Sequence, residues 1–175
     1  MTTLPEYQRF KWAFELSNSE ALQEVVDQIK LQAIKFEKCG IYLLTSNSGA
    51  NSSVEFWKGA LEHGVDFANP RNFPWTLASC PAGYFARLLN IQGPNYTLIG
   101  GKNNLSDLTD LIEFDLETGL INKAIMLILN WATNKDEQSI CIYSIIDCSN
   151  LDSFVNRLPD LYSSHFLARK EKEKI

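Results

Sequence analysis

The residue types that carry most enzyme chemistry are sparse in this chain of 175 residues. Its four cysteines form no CxxC pair and are too few for a secreted disulfide scaffold, so we expect them to be reduced and mostly buried: Cys39, Cys80, Cys141 and Cys148. The two histidines, His63 and His165, are far apart, and neither has a cysteine nearby in sequence. The sequence therefore predicts no structural zinc site, and we expect no metal and no cofactor.

Two positions carry side chains that are reactive in other proteins. Cys80 lies in the small-residue run Leu77–Ala82, where buried packing is the favoured interpretation and a displaced nucleophile the alternative. Lys102 follows Gly100-Gly101 at a predicted helix start, where a solvated lysine is favoured over an amine with a pKa lowered by burial. The same glycine pair before a helix is a candidate phosphate cradle, but it lacks the GxxxxGK[ST] spacing.

Composition and charge exclude several classes of protein. The formal net charge is -5, and the lysines and arginines form no basic stripe, so we expect no nucleic-acid partner. The longest apolar run, Ala124–Leu129, is too short to span a bilayer, and the N-terminal residues show no basic region followed by an apolar run. These features predict a protein of the cytoplasm with no membrane span.

Strand and helix patterns alternate along the chain and predict a layered α/β fold over residues 1–150. The last two strands are joined by a short polar link and are predicted to form an antiparallel pair at the edge of the sheet. Residues 151–175 are expected to form a C-terminal helix or a flexible charged tail. The predicted strands are Phe10–Leu16, Ile41–Thr45, Tyr96–Ile99, Ala124–Leu129 and Ser139–Ile146.

Four amphipathic segments are predicted to be the helices of this fold. The first is capped by the Ser17-Asn18-Ser19 run, ends at Cys39-Gly40, and has one apolar face. The second is capped by Ser52 or Ser53. The third covers 76–89, with Pro81 as a kink or, if the helix starts late, as a first-turn residue. The fourth follows Lys102 and ends at Gly119. The predicted apolar faces are Leu22, Val26, Ile29, Ala33 and Phe36 for the first helix, Val54, Trp57 and Leu61 for the second, and Leu105, Leu108, Leu111, Ile112 and Leu116 for the fourth.

The stretch Asn72–Gly101, NFPWTLASCPAGYFARLLNIQGPNYTLIGG, resembles the β-ketoacyl-acyl-carrier-protein synthases, or ketosynthases, of the thiolase-like superfamily. A small-residue helix, a GP-N/S turn and a strand lead in that family to a nucleophilic cysteine nine residues after the glycine of the GP pair. The upstream and downstream elements match in order, so the resemblance covers roughly residues 10–146 and is most specific over 72–130. Counting nine from Gly93 leads to Lys102 instead of a cysteine.

The resemblance implies a fold, and the departure at Lys102 implies a loss of catalysis. The implied fold is a thiolase-like layered α/β fold, a single N-terminal half, with a mixed, mostly parallel sheet and helices on both faces. A lysine would form an amide that does not turn over, whereas a cysteine thioester is both formed and released. The family's two histidines belong to a C-terminal half, and neither His63 nor His165 matches a family motif. We therefore expect no catalytic residue.

The resemblance also implies a partner. Ketosynthase dimers pair the strand that precedes the nucleophile with its mate, and an exposed apolar edge of this kind needs cover. The expected interface residues are Tyr96, Thr97, Leu98, Ile99, Cys80 and Tyr84. The resemblance is closest to a shortened chain length factor, the cysteine-less subunit that pairs with an active ketosynthase in type II polyketide, aryl-polyene or fatty-acid systems and meets the acyl carrier protein only indirectly.

Two alternatives remain open from the residues. One is a stand-alone homodimeric acyl-binding or structural module, and the other is an unrecognised acyl-thioester enzyme that uses Lys102 or Cys80. Aromatic residues favour an acyl-chain pocket or, equally, ordinary core packing. These aromatic residues are Tyr42, Trp57, Trp75, Tyr84 and Phe85.

Overall fold

The computed structural model describes residues 7–14, 16–101 and 103–156. One sheet holds five strands: β1 Gln8–Ala13, β2 Cys39–Thr45, β3 Asn95–Ile99, β4 Lys123–Asn130 and β5 Gln138–Ile146. Four helices connect them: α1 Asn18–Leu31, α2 Ala50–His63, α3 Cys80–Leu89 and α4 Asn103–Glu117. Two short 3-10 helices, Val65–Phe67 and Phe73–Thr76, lie between α2 and α3, and a short helical segment covers 151–156. The remainder of the predicted tail lies outside the described residues.

The strand order is β1-β5-β4-β2-β3. β2 runs parallel to both of its neighbours, and β5 runs antiparallel to β4 and to β1. The predicted antiparallel pair of β4 and β5 is confirmed. Its predicted place at the edge is wrong, because β1 covers β5 and stacks Phe10 on Tyr143, with ring centroids 6.1 Å apart. The two edges of the sheet are therefore β1 and β3.

β2 is the centre of the fold, and each of its residues is buried. Its apolar run Ile41–Leu44 sends alternate side chains to opposite faces of the sheet. On one face they join α1 and α3 in a core cluster with Phe85 and Tyr143, and on the other they join α4. The predicted mixed sheet with helices on both faces is confirmed, since burial on both sides is what a continuous apolar strand requires.

α1 begins where the cap predicts but ends earlier. The Ser17 hydroxyl accepts from the Glu20 amide at 3.4 Å, as an N-cap side chain does. The predicted end at Cys39-Gly40 is wrong, because Ala33 and Lys38 have left-handed φ angles of 52° and 48°. The residues from Lys30 to Ala33 are exposed, so burial no longer favours further turns. Ala33 is thus one of these exposed residues instead of lying on the apolar face.

α2 departs furthest from its prediction. It begins at Ala50, with the left-handed Gly49 as N-cap and no side-chain cap, so the predicted caps at Ser52 and Ser53 are wrong. A Cβ on Gly49 would lie 2.5 Å from the Thr76 carbonyl oxygen, which leaves no room for another residue there. The predicted apolar face is likewise not part of the core: the exposed fractions are 67% for Val54, 58% for Trp57 and 85% for Leu61.

α3 and β3 are joined by the Gly-Pro turn. The late-start alternative for α3 is confirmed, since the helix begins at Cys80 with Pro81 in its first turn. Gly93 lies against the Cys39 backbone, and a Cβ at this position would overlap the Cys39 carbonyl. Next to it, the Ile41 amide donates to the Pro94 carbonyl at 2.8 Å. The glycine is thus needed to bring the start of β3 onto β2.

We predict that Gly93→Ala lowers the free energy of unfolding by about 1–3 kcal/mol, because the added methyl meets rigid backbone. The matched control is Gly83→Ala in α3, where a Cβ meets nothing within 4 Å. That variant should gain about 0.5–1 kcal/mol through helix propensity. Urea unfolding followed by circular dichroism measures both. Equal effects of the two substitutions would contradict the role assigned to Gly93.

Candidate functional site

Parallel strands place their carboxyl ends at one edge of a sheet, where α/β proteins bind ligands. β2, β3 and β4 end there at Thr45, Ile99 and Asn130. The Gly100 amide donates to the Thr45 carbonyl at 2.9 Å, and the Asn104 amide donates to the Gly101 carbonyl at 3.1 Å. These bonds hold both flanks of position 102 between β3 and the first turn of α4. Lys102 itself lies outside the described residues.

Gly100, the first glycine of the pair before α4, lies close to a side chain of that helix. A Cβ on Gly100 would overlap the Asn104 side chain, which lies directly against the Gly100 backbone. The Asn104 amide group also donates to an Asp107 carboxylate oxygen at 3.3 Å. A side chain at position 100 would therefore require the Asn104 side chain to move.

A pair of amide hydrogen bonds extends the β2–β4 pairing beyond the strand ends. The Asn47 side chain donates to the Trp131 carbonyl at 2.6 Å and accepts from the Trp131 amide at 2.9 Å. Beside it, the Ser46 hydroxyl donates to the Asn130 side-chain oxygen at 2.6 Å. The sequence indicated only a polar loop here. Its signal was the run of amide and hydroxyl side chains immediately after a buried strand, but their partners lie 84 residues away.

Next to these bonds is an open cavity of about 390 Å³ between the starts of α1 and α2 and the β4–β5 link. Its walls are mainly hydroxyl, amide and aromatic groups, and its charged residues are Glu55 and Lys135. Among the described residues that line it there is no cysteine and no histidine. The lining is Phe14, Leu16, Ser17, Asn18, Ser19, Gly49, Asn51, Ser52, Glu55, Asn72, Trp75, Trp131, Ala132, Lys135 and Ser139.

Three of the four thiols, Cys39, Cys80 and Cys141, lie in environments that raise their pKa. Burial raises the pKa of Cys39 to about 12 and raises the pKa of Cys141 further. Cys80 is half-buried, and its pKa is also raised by burial, with Arg87 only partly offsetting the effect. A nucleophilic cysteine needs a lowered pKa, so Cys80 lacks the environment of an activated nucleophile. Cys148 is exposed.

The predicted interface residues on β3 lie at an open edge of the sheet. In a parallel pair the N–H and C=O of one residue point to the same side. Pro94 and Gly100 bond to β2, so the backbone of Thr97 and Ile99 points outward, away from β2. Ile99 is 64% exposed and Tyr96 is 37% exposed, whereas Leu98 packs against the α4 side of the core.

Cys80 and Tyr84, the other two predicted interface residues, lie on α3. The Tyr84 ring packs on Trp75 with centroids 5.6 Å apart. Its hydroxyl donates towards Gln23 of α1 at 3.3 Å. The Tyr84 side chain is thus directed to α1, within its own chain.

The five aromatic residues considered for an acyl pocket do not converge. Phe85 belongs to the core cluster beneath α1 and α3, and Trp75 and Tyr84 pack against that cluster. Tyr42 lies on the opposite face, where its hydroxyl donates to the buried Asp115 carboxylate at 2.6 Å. Burial is the main cause that raises the pKa of Tyr42, and the hydrogen bond to Asp115 raises it further. Trp57 is exposed.

Neither histidine completes a catalytic group within the described part of the chain. His63 lies exposed in the last turn of α2, and His165 is outside the described residues. Within 7–14, 16–101 and 103–156, no three His, Cys, Asp or Glu side chains form a group that could hold a metal ion. The helices over the same ranges include none with the length and apolar character needed to cross a membrane.

We predict that maleimide labelling of the folded chain at pH 8 modifies Cys148 fastest and Cys80 more slowly. Cys39 and Cys141 should label only after unfolding, because burial keeps both thiols protonated. The free energy of unfolding should fall as the pH rises from the ordinary thiol pKa of 9.0 towards 12. Over this interval Cys39 ionises in the unfolded chain but stays protonated in the folded chain. Intact mass and peptide mapping measure the order of labelling. Faster labelling of Cys80 than of Cys148 would identify Cys80 as an activated thiol.

No protein-family model and no curated protein matches this chain. Solved structures do match its fold. The ishigamide ketosynthase/chain length factor is 13% identical, with a TM-score of 0.54 over 67% of this chain and 38% of that chain. The ketosynthase ApeO in complex with its chain length factor ApeC, from Xenorhabdus doucetiae, is 7% identical. Its TM-score is 0.53, and the match covers 83% of this chain and 79% of that chain.

The ketosynthase from module 1 of the bacillaene synthase of Bacillus amyloliquefaciens FZB42 is 11% identical, with a TM-score of 0.55 over 82% of this chain. The chain spans only 32% of that ketosynthase and 38% of the ishigamide protein. At these identities the matches show the fold alone: the mixed sheet with helices on both faces has the fold of the matched part of these ketosynthase and chain length factor structures.

Proposed function

We propose that this chain is a catalytically silent ketosynthase-like subunit of the chain-length-factor type. Its role would be to pair with an active β-ketoacyl synthase and complete that enzyme's fold and product tunnel. The observation that carries the proposal is β3, an open apolar edge strand that leads into position 102, where the sequence has lysine. A partner strand fits this edge, and a nucleophile is missing beside it.

The case against catalysis rests on chemistry at position 102 and at the thiols. An acyl group transferred to a lysine amine would be held as an amide, which is a poor acyl donor for the next step. Cys80 is the cysteine nearest to position 102 in the sequence, and it is half-buried. Because its pKa is raised, it holds little thiolate at neutral pH. Condensation would then have to take place on the partner subunit.

The case for a partner rests on the backbone of β3. Thr97 and Ile99 direct their N–H and C=O groups away from β2, and no strand in the described part of the chain covers them. An added strand would satisfy these groups and cover the exposed Ile99 side chain. Strand addition at this edge would extend one sheet across two subunits.

The choice of partner draws on the matched structures. Two of them are a ketosynthase/chain length factor and a ketosynthase in complex with its chain length factor, at identities of 13% and 7%. By analogy we propose an active ketosynthase of a polyketide, aryl-polyene or fatty-acid pathway as the partner, in the cytoplasm. Contact with an acyl carrier protein would be indirect, through that ketosynthase.

We predict that this chain, co-expressed with a ketosynthase encoded beside it, purifies as an equimolar complex. Ile99→Glu should weaken the complex at least about tenfold, because it places a charge in the paired edge. Thr97→Pro should do the same by removing an outward N–H while leaving the bonds to β2 intact. The matched control is Leu31→Glu, which changes a leucine that is 75% exposed at the end of α1.

Size-exclusion chromatography with light scattering measures the complex, and circular dichroism verifies that each variant is folded. A chain that binds no such ketosynthase would contradict the proposal. A self-dimer lost in both β3 variants would instead support the stand-alone homodimeric module.

We predict that Lys102→Cys creates no condensing activity. The thiol would be restored without the histidines that orient and decarboxylate a malonyl thioester, since neither His63 nor His165 matches a family motif. Release of CO₂ from malonyl thioester in the presence of an acyl thioester is the measurement, with Lys102→Ala as the matched control. Turnover by Lys102→Cys above this control would show that the chain retains catalytic machinery.

A further inference from the structure

A surface that we name the α2 stripe consists of six exposed apolar side chains on α2 and in the segment that follows it. Val54, Trp57 and Leu61 follow helical spacing along α2, and Val65, Phe73 and Leu77 lie after the end of the helix. The exposed fractions are 67% for Val54, 58% for Trp57, 85% for Leu61, 74% for Val65, 53% for Phe73 and 52% for Leu77. The core of this chain takes up none of these side chains.

The stripe is exposed because α2 packs through its other side. Ala60 is the buried residue of the helix, and Phe56 contacts Phe73 of the second 3-10 helix with ring centroids 5.8 Å apart. Phe56 also meets the edge of the Trp57 ring at 5.6 Å, so aromatic contacts join the helical part of the stripe to Phe73. The packing fixes the orientation of α2 and leaves its apolar stripe directed to solvent.

The area of the stripe is that of a protein interface. With an aromatic side chain at about 150–250 Å² and an aliphatic one somewhat smaller, the six exposed fractions sum to roughly 600 Å². The largest apolar patch of a typical monomer is about 300–600 Å² and is often functional. A standard interface buries about 800 Å² on each partner, so the stripe would supply most of one side.

The charges beside the stripe select its occupant. Glu55, Lys58 and Glu62 flank it along one side of α2, and the Lys58 amine lies 3.9 Å from the Glu62 carboxylate. This flank carries both signs, so it matches a copy of itself turned by a two-fold axis. An axis through the middle of the stripe, near residue 60, brings Lys58 opposite the partner's Glu62 and Glu62 opposite the partner's Lys58.

We propose that the α2 stripe is a self-association surface whose occupant is the α2 stripe of a second copy of this chain. The surface belongs to other elements than the β3 edge, so the inference does not depend on the function proposed above. If both surfaces are used, two copies joined through α2 each present a β3 edge, and the assembly contains two copies of each subunit.

Charge reversal tests the two-fold arrangement directly. Lys58→Glu and Glu62→Lys should each weaken self-association about tenfold, because either variant opposes like charges across the axis. A 1:1 mixture of the two variants should restore wild-type association, since each copy then meets opposite charges on its partner. Sedimentation velocity over a dilution series, with one variant fluorescently labelled, measures all three. Failure of the mixture to associate would overturn the two-fold arrangement.

A second pair of variants tests the stripe itself. Leu61→Glu should abolish self-association at concentrations where the wild type is dimeric, whereas the matched Leu31→Glu, at another exposed leucine, should not change it. A wild-type chain that is monomeric at tens of micromolar would overturn the proposal. Loss of a ketosynthase complex in Leu61→Glu, with self-association unchanged, would assign the stripe to the ketosynthase instead.

The outcomes separate the two proposals. A self-dimer that survives Leu61→Glu but is lost in Thr97→Pro forms through β3, and overturns the α2 inference alone. If no ketosynthase complex forms while Leu61→Glu still dissociates the self-dimer, only the proposed function is overturned.

Discussion

The fold depends on the burial of one strand. β2 is paired on both edges, by β3 and β4, and covered on both faces, by α1 and α3 on one side and α4 on the other. Every polar backbone group of such a strand must be bonded to a neighbour, because no water reaches it. This requirement explains why Gly93 allows β3 to approach so closely, and why Asn47 continues the pairing with backbone-like bonds to Trp131. The carboxyl ends of β3 and β4 take their places from β2.

Several elements could be predicted from the sequence because their signals are local. The run Ile41–Thr45 lies between a glycine and a polar segment, and it forms a doubly covered strand as expected. Ser17 marks the start of α1 through its own hydroxyl. The end of α1 has no such signal, because Ala33 and Lys38 adopt left-handed conformations that sequence patterns associate with glycine. Sequence patterns predict an element correctly where the contacts that decide it join residues close together in the chain.

The rest could not be predicted because periodicity does not identify the neighbour. The spacing of Val54, Trp57 and Leu61 indicates an apolar helical face, but the same spacing serves a face buried in the core and a face left for another molecule. Only the packing of Phe56 and Ala60 shows that this face points outward. The candidate site presents the same difficulty. A spacing of nine residues from Gly93 located position 102, whereas the contacts of Asn47 join residues that are 84 positions apart.

The strand order also sets the order in which the chain can fold as it is made. β2 pairs with β3 at residues 54 positions downstream, as in Ile41 and Asn95, but it lacks its second neighbour until β4 is made. β1 pairs with β5 across Gln8 and Tyr143, which are 135 positions apart. Contacts of such long range close slowly and leave apolar strands uncovered in the meantime. A ribosome-bound chain that stops before residue 138 would hold β1 without a partner. β1 can therefore join the sheet only after β5 has been made, and until then its backbone edge is unpaired.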